Sequence, residues 1–184
     1  MMSPSQLLEC RIQPLDRPII ALDTQILLDA ALGRDLDSYK LVKKVGDMAG
    51  RQEVVILETA DTLDEVRYEG KRLKKTAGDS CHLDLMEFVL AKATVVNFPP
   101  ERCSWDDELH HLGKMNIQYF RLVADEMAEV LATKNKRLLR ANRNFLRDDP
   151  ELGRITTPSN CLKFLNTLDR IFELNQAVES KNYE

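Results

Sequence analysis

Residues 18–33 read PIIALDTQILLDAALG, and this stretch decides the class of fold. An uninterrupted apolar run from Pro18 to Leu22 ends at Asp23, which is typical of a strand buried on both faces of a parallel sheet. Beyond it the apolar residues recur at helical spacing until Gly33 closes the segment. The stretch therefore predicts a buried strand followed directly by a helix.

The rest of the chain repeats this alternation of strands and helices. Strands are predicted at 54–57, 94–98, 130–133 and 154–157, and helices at 37–48, 62–73, 82–91, 116–127, 136–146 and 158–178, with another helix starting near Ser104. Thr62 and Glu65 have the spacing of a capping box, so the third helix is expected to begin at Thr62. The pattern favours an α/β fold, a three-layer α/β/α sandwich with a mostly parallel sheet of about five strands.

The composition is that of a globular protein with one main domain. The 184 residues are 43% hydrophobic and 30% charged with a net charge of -4, which excludes a disordered chain and a wholly basic nucleic-acid wrapper. We expect no membrane span, because no apolar run approaches ~20 residues, and no secretory leader. The four cysteines are far apart, which argues against zinc fingers and for reduced thiols in a cytoplasmic protein. We divide the chain into an N-terminal arm (1–16), a main domain (17–170) and a C-terminal helix end with a tail (171–184).

Oxygen-bearing side chains lie where a parallel sheet binds its ligands. Asp23 follows the first predicted strand, and Asn135 comes two residues after the fourth. Glu65 is on the helix after the second strand, and Asn116 begins the helix that leads into the fourth. Because ligands bind at the carboxyl ends of such strands, these four side chains are expected to converge. Carboxylate and amide oxygens suit a hard cation such as Mg²⁺ or Mn²⁺.

The chain resembles the PIN-domain family of nucleases from about Arg17 to Leu168. Four segments carry the resemblance: IALDTQILL at 20–28, TLDEVR at 62–67, EVLATKN at 129–135 and RITTP at 154–158. The resemblance implies a compact α/β/α sandwich whose acidic pocket binds Mg²⁺ or Mn²⁺ and cleaves single-stranded or structured RNA. It also raises a homodimer and an antitoxin-like protein as candidate partners, beside RNA itself.

The resemblance assigns four catalytic positions, and the chain departs from the family at two of them. Asp23 matches the first metal-binding Asp, and Glu65 matches the second acid. Asn116 matches the third acid, which is normally Asp, and Asn135 matches a fourth position that is Asp in many members. An amide oxygen brings no charge and cannot act as a base, so metal binding and water activation are expected to be weaker. The metal ligands so assigned are Asp23, Glu65 and Asn116, while Thr24 and Thr133 would orient ligands or the scissile phosphate.

Several of these residues have a plainer interpretation. Asp23 could simply cap the helix that follows it, and Asn135 could be a turn residue. Glu58 is the competitor for the role of Glu65. A missing negative charge could come from Asp106, Asp107 or Asp125. His110 and His111 point about 100° apart on a helix, which argues against a shared metal ion.

A basic segment begins at the proposed pocket. Between residues 134 and 147 there are six cations and no acid, namely Lys134, Lys136, Arg137, Arg140, Arg143 and Arg147. Such a run is often only a solvated helix face, but here its position favours contact with the RNA backbone. Two hypotheses follow: a metal-dependent ribonuclease, or a degenerate relative that binds RNA or protein without chemistry. A dinucleotide-binding domain is disfavoured, because no glycine-rich loop follows the first strand.

Overall fold

A computed structural model of the chain describes residues 17–76, 82–97, 112–125, 127–143 and 154–181. Each strand in these residues is followed by one or two helices. The strands are β1 (Ile19–Leu22), β2 (Val55–Thr59), β3 (Ala93–Val96), β4 (Val130–Ala132) and β5 (Arg154–Thr156). The helices are α1 (Thr24–Ala31), α2 (Leu36–Gly50), α3 (Ala60–Thr76), α4 (Leu83–Lys92), α5 (Lys114–Ala124), α6 (Lys136–Ala141) and α7 (Pro158–Lys181).

The five described strands form one sheet in the order β3-β2-β1-β4-β5, and every neighbouring pair is parallel. The predicted fold class is therefore confirmed. The chain builds the sheet outward from β1 to β3 and then returns to add β4 and β5 on the other side. In the central pair, Leu22 of β1 lies opposite Ala132 of β4. The strand order reverses at this pair, and ligands of open parallel sheets bind at such a point.

Helices cover both faces of the sheet. Because side chains alternate along a strand, Ile20 and Leu22 enter a core formed with α1, α2, α4 and α7. Ala21 and Leu131 point to the other face and enter a second core with α5 and α6. Phe120 of α5 is fully buried in this second core. These two cores explain the continuous apolar runs of the central strands.

The end of α1 determines how the chain enters α2. Gly33 has a φ of 62°, a left-handed conformation that favours glycine. The Arg34 N–H donates to the Asp29 carbonyl (2.9 Å) and the Gly33 N–H to the Ala30 carbonyl (3.2 Å), which is the Schellman pattern of helix ends. Asp35 then caps α2, accepting a hydrogen bond from the Ser38 N–H at 2.8 Å. This turn brings the carboxylates of Asp29 and Asp35 close to Lys134, which follows the end of β4.

The predicted capping box at Thr62 is wrong. Helix α3 begins at Ala60, so Thr62 lies within its first turn. Thr59 takes the capping role, because its hydroxyl accepts a hydrogen bond from the Thr62 N–H at 3.1 Å. The Thr62 hydroxyl is fully buried and donates to the Tyr119 hydroxyl at 2.9 Å. A long-range partner thus determines its role, and the local sequence does not.

Other helix boundaries also differ from the prediction. Helix α5 ends at Ala124, three residues before the predicted end at Met127, and Asp125 occupies its C-terminal cap. Helix α6 is described only to Ala141, and the rest of the predicted helix falls largely outside the described residues. The helix predicted to start near Ser104 also lies outside them, as do His110 and His111.

No helix in the described part of the chain has the length and apolar character needed to cross a membrane. Cys161 is buried and carries a free thiol, while the other three cysteines lie outside the described residues. Burial raises the pKa of the Cys161 thiol to about 12. This thiol therefore stays protonated near neutral pH and packs as a small apolar group.

Candidate functional site

A cavity of about 360 Å³ opens where the strand order reverses. The four positions predicted to carry the chemistry all line it, namely Asp23, Glu65, Asn116 and Asn135. Thr24, Gln25, Tyr119 and Lys134 complete the described lining. These residues come from four separate parts of the chain, and the topology of the sheet brings them together.

Asp23 is both a helix cap and a wall of the cavity. Its Oδ1 accepts a hydrogen bond from the Gln25 N–H at 3.1 Å, and its Oδ2 accepts one from the Thr133 hydroxyl. Asp23 as a whole is only 8% exposed. Burial raises the pKa of Asp23, against the lowering effect of the two hydrogen bonds. The same carboxylate therefore caps α1 and lines the cavity.

The two threonines beside the cavity have different surroundings. Thr133 is fully buried and donates to Asp23, while its hydroxyl oxygen accepts from the Asn135 N–H at 2.9 Å. It therefore ties the Asp23 carboxylate to the start of α6. The Thr24 hydroxyl is instead bonded to the Tyr119 hydroxyl at 2.7 Å. Of the two, only Thr133 touches a predicted metal ligand through its side chain.

Asn135 and Asn116 form a directed pair of amides. The Asn135 Oδ1 caps α6 by accepting from the Arg137 N–H at 2.9 Å, which fixes the orientation of the amide. Its Nδ2 consequently donates to the Asn116 Oδ1 at 2.9 Å. The Asn116 Nδ2 in turn donates to the Leu112 carbonyl at 2.7 Å. Both amides are thus held rigidly, and each oxygen keeps one lone pair unused.

Glu65 offers the most accessible carboxylate of the cavity. It lies on α3 and is exposed, and its carboxylate has no hydrogen bond or ion pair with any residue in the described ranges. With Asp23 it gives the cavity two carboxylates. The described residues contain no cluster of three or more His, Cys, Asp or Glu side chains placed to hold a metal ion. The site is therefore less acidic than a full set of four carboxylates would make it.

Tyr119 is a residue of the site that the sequence analysis missed. It is 3% exposed, and its hydroxyl accepts hydrogen bonds from the Thr24 N–H (2.9 Å) and the Thr62 hydroxyl (2.9 Å). Burial, with the nearby charges of Glu58 and Asp23, raises its pKa far above the ordinary value, so it stays protonated. Tyr119 links α5 to the ends of β1 and β2. Tyr119 lies three residues after Asn116, about one helical turn, so both side chains lie on the same face of α5. This spacing is the signal in the sequence that could have identified it.

Two of the acids proposed as alternatives, Glu58 and Asp125, are described in the structure, and neither lines the cavity. Glu58 is fully buried, and its Oε1 accepts from the Leu22 N–H at 3.1 Å. Its Oε2 has no hydrogen-bond partner among the described residues. Asp125 lies at the far end of α5, where it pairs with Arg121 at 3.2 Å. Asp106 and Asp107 lie outside the described residues.

Glu58 is expected to weaken the fold at neutral pH. Burial raises its pKa well above the ordinary value of 4.5, helped by the charge of Asp23 and opposed by the bond from Leu22. The folded state keeps this proton at a pH where the unfolded state has lost it, so stability falls as pH rises above the ordinary value. Glu58→Gln mimics the protonated form and should unfold at a higher temperature than the wild type near neutral pH.

Thermal unfolding followed over a pH series checks this expectation. The advantage of Glu58→Gln should shrink as pH falls and vanish near the ordinary pKa of 4.5. Glu173→Gln, on the exposed surface of α7, is the matched control and should not differ from the wild type. If Glu58→Gln is less stable than the wild type at neutral pH but not at pH 4.5, a charged Glu58 stabilises the fold; an equal loss at every pH would instead come from burying an amide NH₂ group without an acceptor.

The cations of the basic segment fall into two groups. Lys136, Arg137, Arg140 and Arg143 are exposed and form no ion pair with any described residue. Lys134 instead lines the cavity and is paired with two acids, Asp29 and Asp35. Burial opposes its charge, but the bonds to these carboxylates raise its pKa. Arg147, the sixth cation, lies outside the described residues.

Comparison of the chain with protein-family models, with curated proteins and with solved structures found no match.

Proposed function

We propose that this chain is a metal-dependent ribonuclease of the PIN type that hydrolyses RNA phosphodiester bonds with a weakened metal site. One observation carries the proposal: Asp23, Glu65, Asn116 and Asn135 line one cavity at the point where the strand order reverses. This is the location at which open parallel sheets bind their ligands.

The donor atoms of the cavity suit a hard divalent cation. Asp23 and Glu65 would hold Mg²⁺ or Mn²⁺, with the oxygens of Asn116 and Asn135 as neutral ligands. The carboxylate of Glu65 has no partner in the part of the chain that the structure describes, and each amide oxygen keeps a spare lone pair, which fits this role. A bound ion would supply Lewis-acid activation of water and of the phosphodiester. Thr133 holds the Asp23 carboxylate in place, and Tyr119 holds the backbone of Thr24 next to it.

The exposed cations beside the cavity suit the rest of the substrate. Lys136 and Arg137 are in the first turn of α6, directly after the cavity residue Asn135, and Arg140 is one turn further along. Such a row of cations attracts consecutive phosphates of a nucleic acid. The two-carboxylate cavity itself repels phosphate unless a cation is bound. We call Lys136, Arg137 and Arg140 the basic face. We expect RNA binding to depend on both this basic face and a divalent ion.

A second candidate function is RNA binding without chemistry. The amide pair favours it, because Asn116 and Asn135 bond to each other, to Leu112 and to the start of α6, and bring no negative charge. In this case the basic face would be retained for binding, and the cavity would hold a metal ion weakly or not at all.

A labelled single-stranded RNA, incubated with the protein in Mn²⁺ or in EDTA, distinguishes these candidates. The ribonuclease should cleave in Mn²⁺ and stop in EDTA, whereas the binding module should retain the RNA uncut in both. Arg140→Gln should weaken binding and reduce the slope of log affinity against log salt by about 0.7, the value for one cation on a single strand. Arg170→Gln on α7 removes an exposed arginine from the other face of the sheet. It should change neither the affinity for RNA nor the slope against salt. Cleavage that persists in EDTA, or no RNA binding at all, would contradict the proposal.

A further inference from the structure

Lys134 places a positive charge at the wall of the cavity and holds it there with two carboxylates. Its Nζ donates to the Asp29 Oδ2 at 2.7 Å and lies 3.3 Å from the Asp35 Oδ2. The same residue lines the cavity together with Asp23 and Glu65. The ammonium group of Lys134 is thus within ion-pair distance of two acidic oxygens.

Both carboxylates are fixed independently of the lysine. Asp29 is 7% exposed, and its other oxygen accepts from the Gln25 Nε2 at 2.7 Å. Asp35 is held by its capping bond from the Ser38 N–H at 2.8 Å. The Schellman turn at Gly33 joins the elements that carry them. These hydrogen bonds hold the two carboxylates in place, and the ammonium group of Lys134 pairs with both of them.

We propose that Lys134 supplies a tethered positive charge in place of a second divalent cation, so that the site works with one metal ion and one ammonium group. This inference rests on the proposed ribonuclease function. In two-metal sites the paired charges stabilise the attacking and leaving oxygens of the displacement. Lys134 supplies one of these charges at the phosphodiester, and Asp29 and Asp35 are positioning residues that aim it.

Hydrolysis of the phosphodiester needs no proton transfer by Lys134. Water adds across the phosphodiester: its hydroxyl forms the new bond to phosphorus, and its proton goes to the leaving oxygen as the old P–O bond breaks. Lys134 contributes only charge and a hydrogen bond to this change. Its two carboxylate partners raise its pKa against the opposing effect of burial, so it remains charged at neutral pH. The exposed Lys136 has no such partners among the described residues and belongs to the basic face.

Counting bound Mn²⁺ in matched variants tests this inference without relying on activity. Calorimetric titration should give about one equivalent for the wild type and for Lys134→Arg, which keeps the charge. Lys134→Met removes the ammonium at similar length, and it should bind about one additional equivalent at Asp29 and Asp35. That additional equivalent should disappear in the double variant Lys134→Met with Asp29→Asn. Circular dichroism confirms that each variant is folded.

Cleavage of RNA gives a second readout. At one equivalent of Mn²⁺, Lys134→Met should lose at least about tenfold in kcat, as expected for a lost transition-state charge. Excess Mn²⁺ should restore part of that loss, because the second ion then takes the place of the ammonium. Lys134→Arg should keep most of the activity.

The outcomes separate this inference from the proposed function. If Lys134→Met binds no additional Mn²⁺ and excess Mn²⁺ restores nothing, the tethered-charge inference is overturned while the single-metal site stands. If the wild type binds no Mn²⁺, the proposed function fails instead. In that case, an equivalent that appears in Lys134→Met and disappears on adding Asp29→Asn would still support the cation position at Asp29 and Asp35.

Discussion

The Asp23→Asn variant is expected to lose at least tenfold in Mn²⁺ affinity while unfolding at a temperature no lower than that of the wild type. Among the described residues, Asp23 is one of two carboxylates that line the cavity. Two unit charges 4 Å apart interact by about 4 kcal/mol at an effective dielectric constant of 20, before desolvation is subtracted. A net loss of only ~1.4 kcal/mol would already be tenfold in affinity.

The fold should tolerate this substitution. Asparagine is as good a helix cap as aspartate, so the bond from the Gln25 N–H can remain. The Thr133 hydroxyl can turn to accept a hydrogen bond from the new amide. Burial raises the pKa of Asp23 above its ordinary value of 3.8, so the charged form costs the folded state stability as pH rises through this range. The neutral variant avoids that cost.

Mn²⁺ titration and thermal unfolding in EDTA measure the two effects separately. Asp84→Asn, on the exposed surface of α4, is the matched control and should retain the Mn²⁺ affinity. Unchanged Mn²⁺ affinity in Asp23→Asn would show that other groups hold the ion. A large fall in unfolding temperature would show that the charged Asp23 is a structural residue first. Loss of binding with retained stability is the signature of a binding site.

The fold was predictable because its signals are local. The apolar run ending at Leu22 predicted a buried parallel strand, and β1 is the central strand of the sheet. Gly33 predicted the end of α1, and its left-handed backbone forms the Schellman turn. Each of these conclusions depends on a few consecutive residues and on the period of the hydrophobic pattern.

The walls of the cavity were predictable for a different reason. In a parallel sheet the carboxyl ends of all strands meet at one edge, so residues that follow strands converge whatever their separation in sequence. Asp23 and Asn135 are more than a hundred residues apart, and both line the cavity. The sequence could therefore indicate which residues share the site before any contact was known.

The hydrogen-bonding partners within the site were not predictable. Lys134 was assigned to RNA contact with the other cations, but its bond is to Asp29, 105 residues away in sequence. Tyr119 bonds to Thr24 across 95 residues, and no local pattern marks a tyrosine in a helix as a site residue. The capping box at Thr62 failed for the same reason, because its hydroxyl bonds to Tyr119. Side-chain pairing across elements depends on packing, which periodicity does not encode.

The amide pair indicates how a cavity with few charges keeps its shape. Two carboxylates at positions 116 and 135 would repel each other, and they could approach closely only with a cation or a proton between them. Asn135 instead donates directly to Asn116 at 2.9 Å, and the chain of bonds continues to the Leu112 carbonyl. The asparagines therefore hold α5 and α6 together without a metal ion. Because these bonds use one lone pair of each amide oxygen, we expect the proposed cation to bind more weakly here than it would to two carboxylates.

The Asn116→Asp variant is therefore expected to depend on metal for its stability. The new carboxylate can still accept from the Asn135 Nδ2, but its second oxygen would face the Leu112 carbonyl, now 2.7 Å from the Asn116 amide nitrogen. Two acceptors cannot share a hydrogen bond, and such a loss costs about 1–3 kcal/mol. For a domain of this size each kcal/mol lowers the unfolding temperature by roughly 2–4 °C, so the variant should melt earlier in EDTA.

Mn²⁺ should reverse that loss, because the third carboxylate places a full charge beside the ion. We expect Asn116→Asp to bind Mn²⁺ at least several-fold more tightly than the wild type and to cleave single-stranded RNA faster. Since ligand binding stabilises the folded state by RT ln(1 + [L]/Kd), its unfolding temperature should rise more steeply with Mn²⁺ than that of the wild type. Asn166→Asp adds the same charge at an exposed position of α7 and should show no such dependence. If Asn116→Asp is destabilised equally in EDTA and in Mn²⁺, position 116 holds α5 to α6 and does not contact the metal. Asp106 and Asp107 would then be the next candidates for the third ligand.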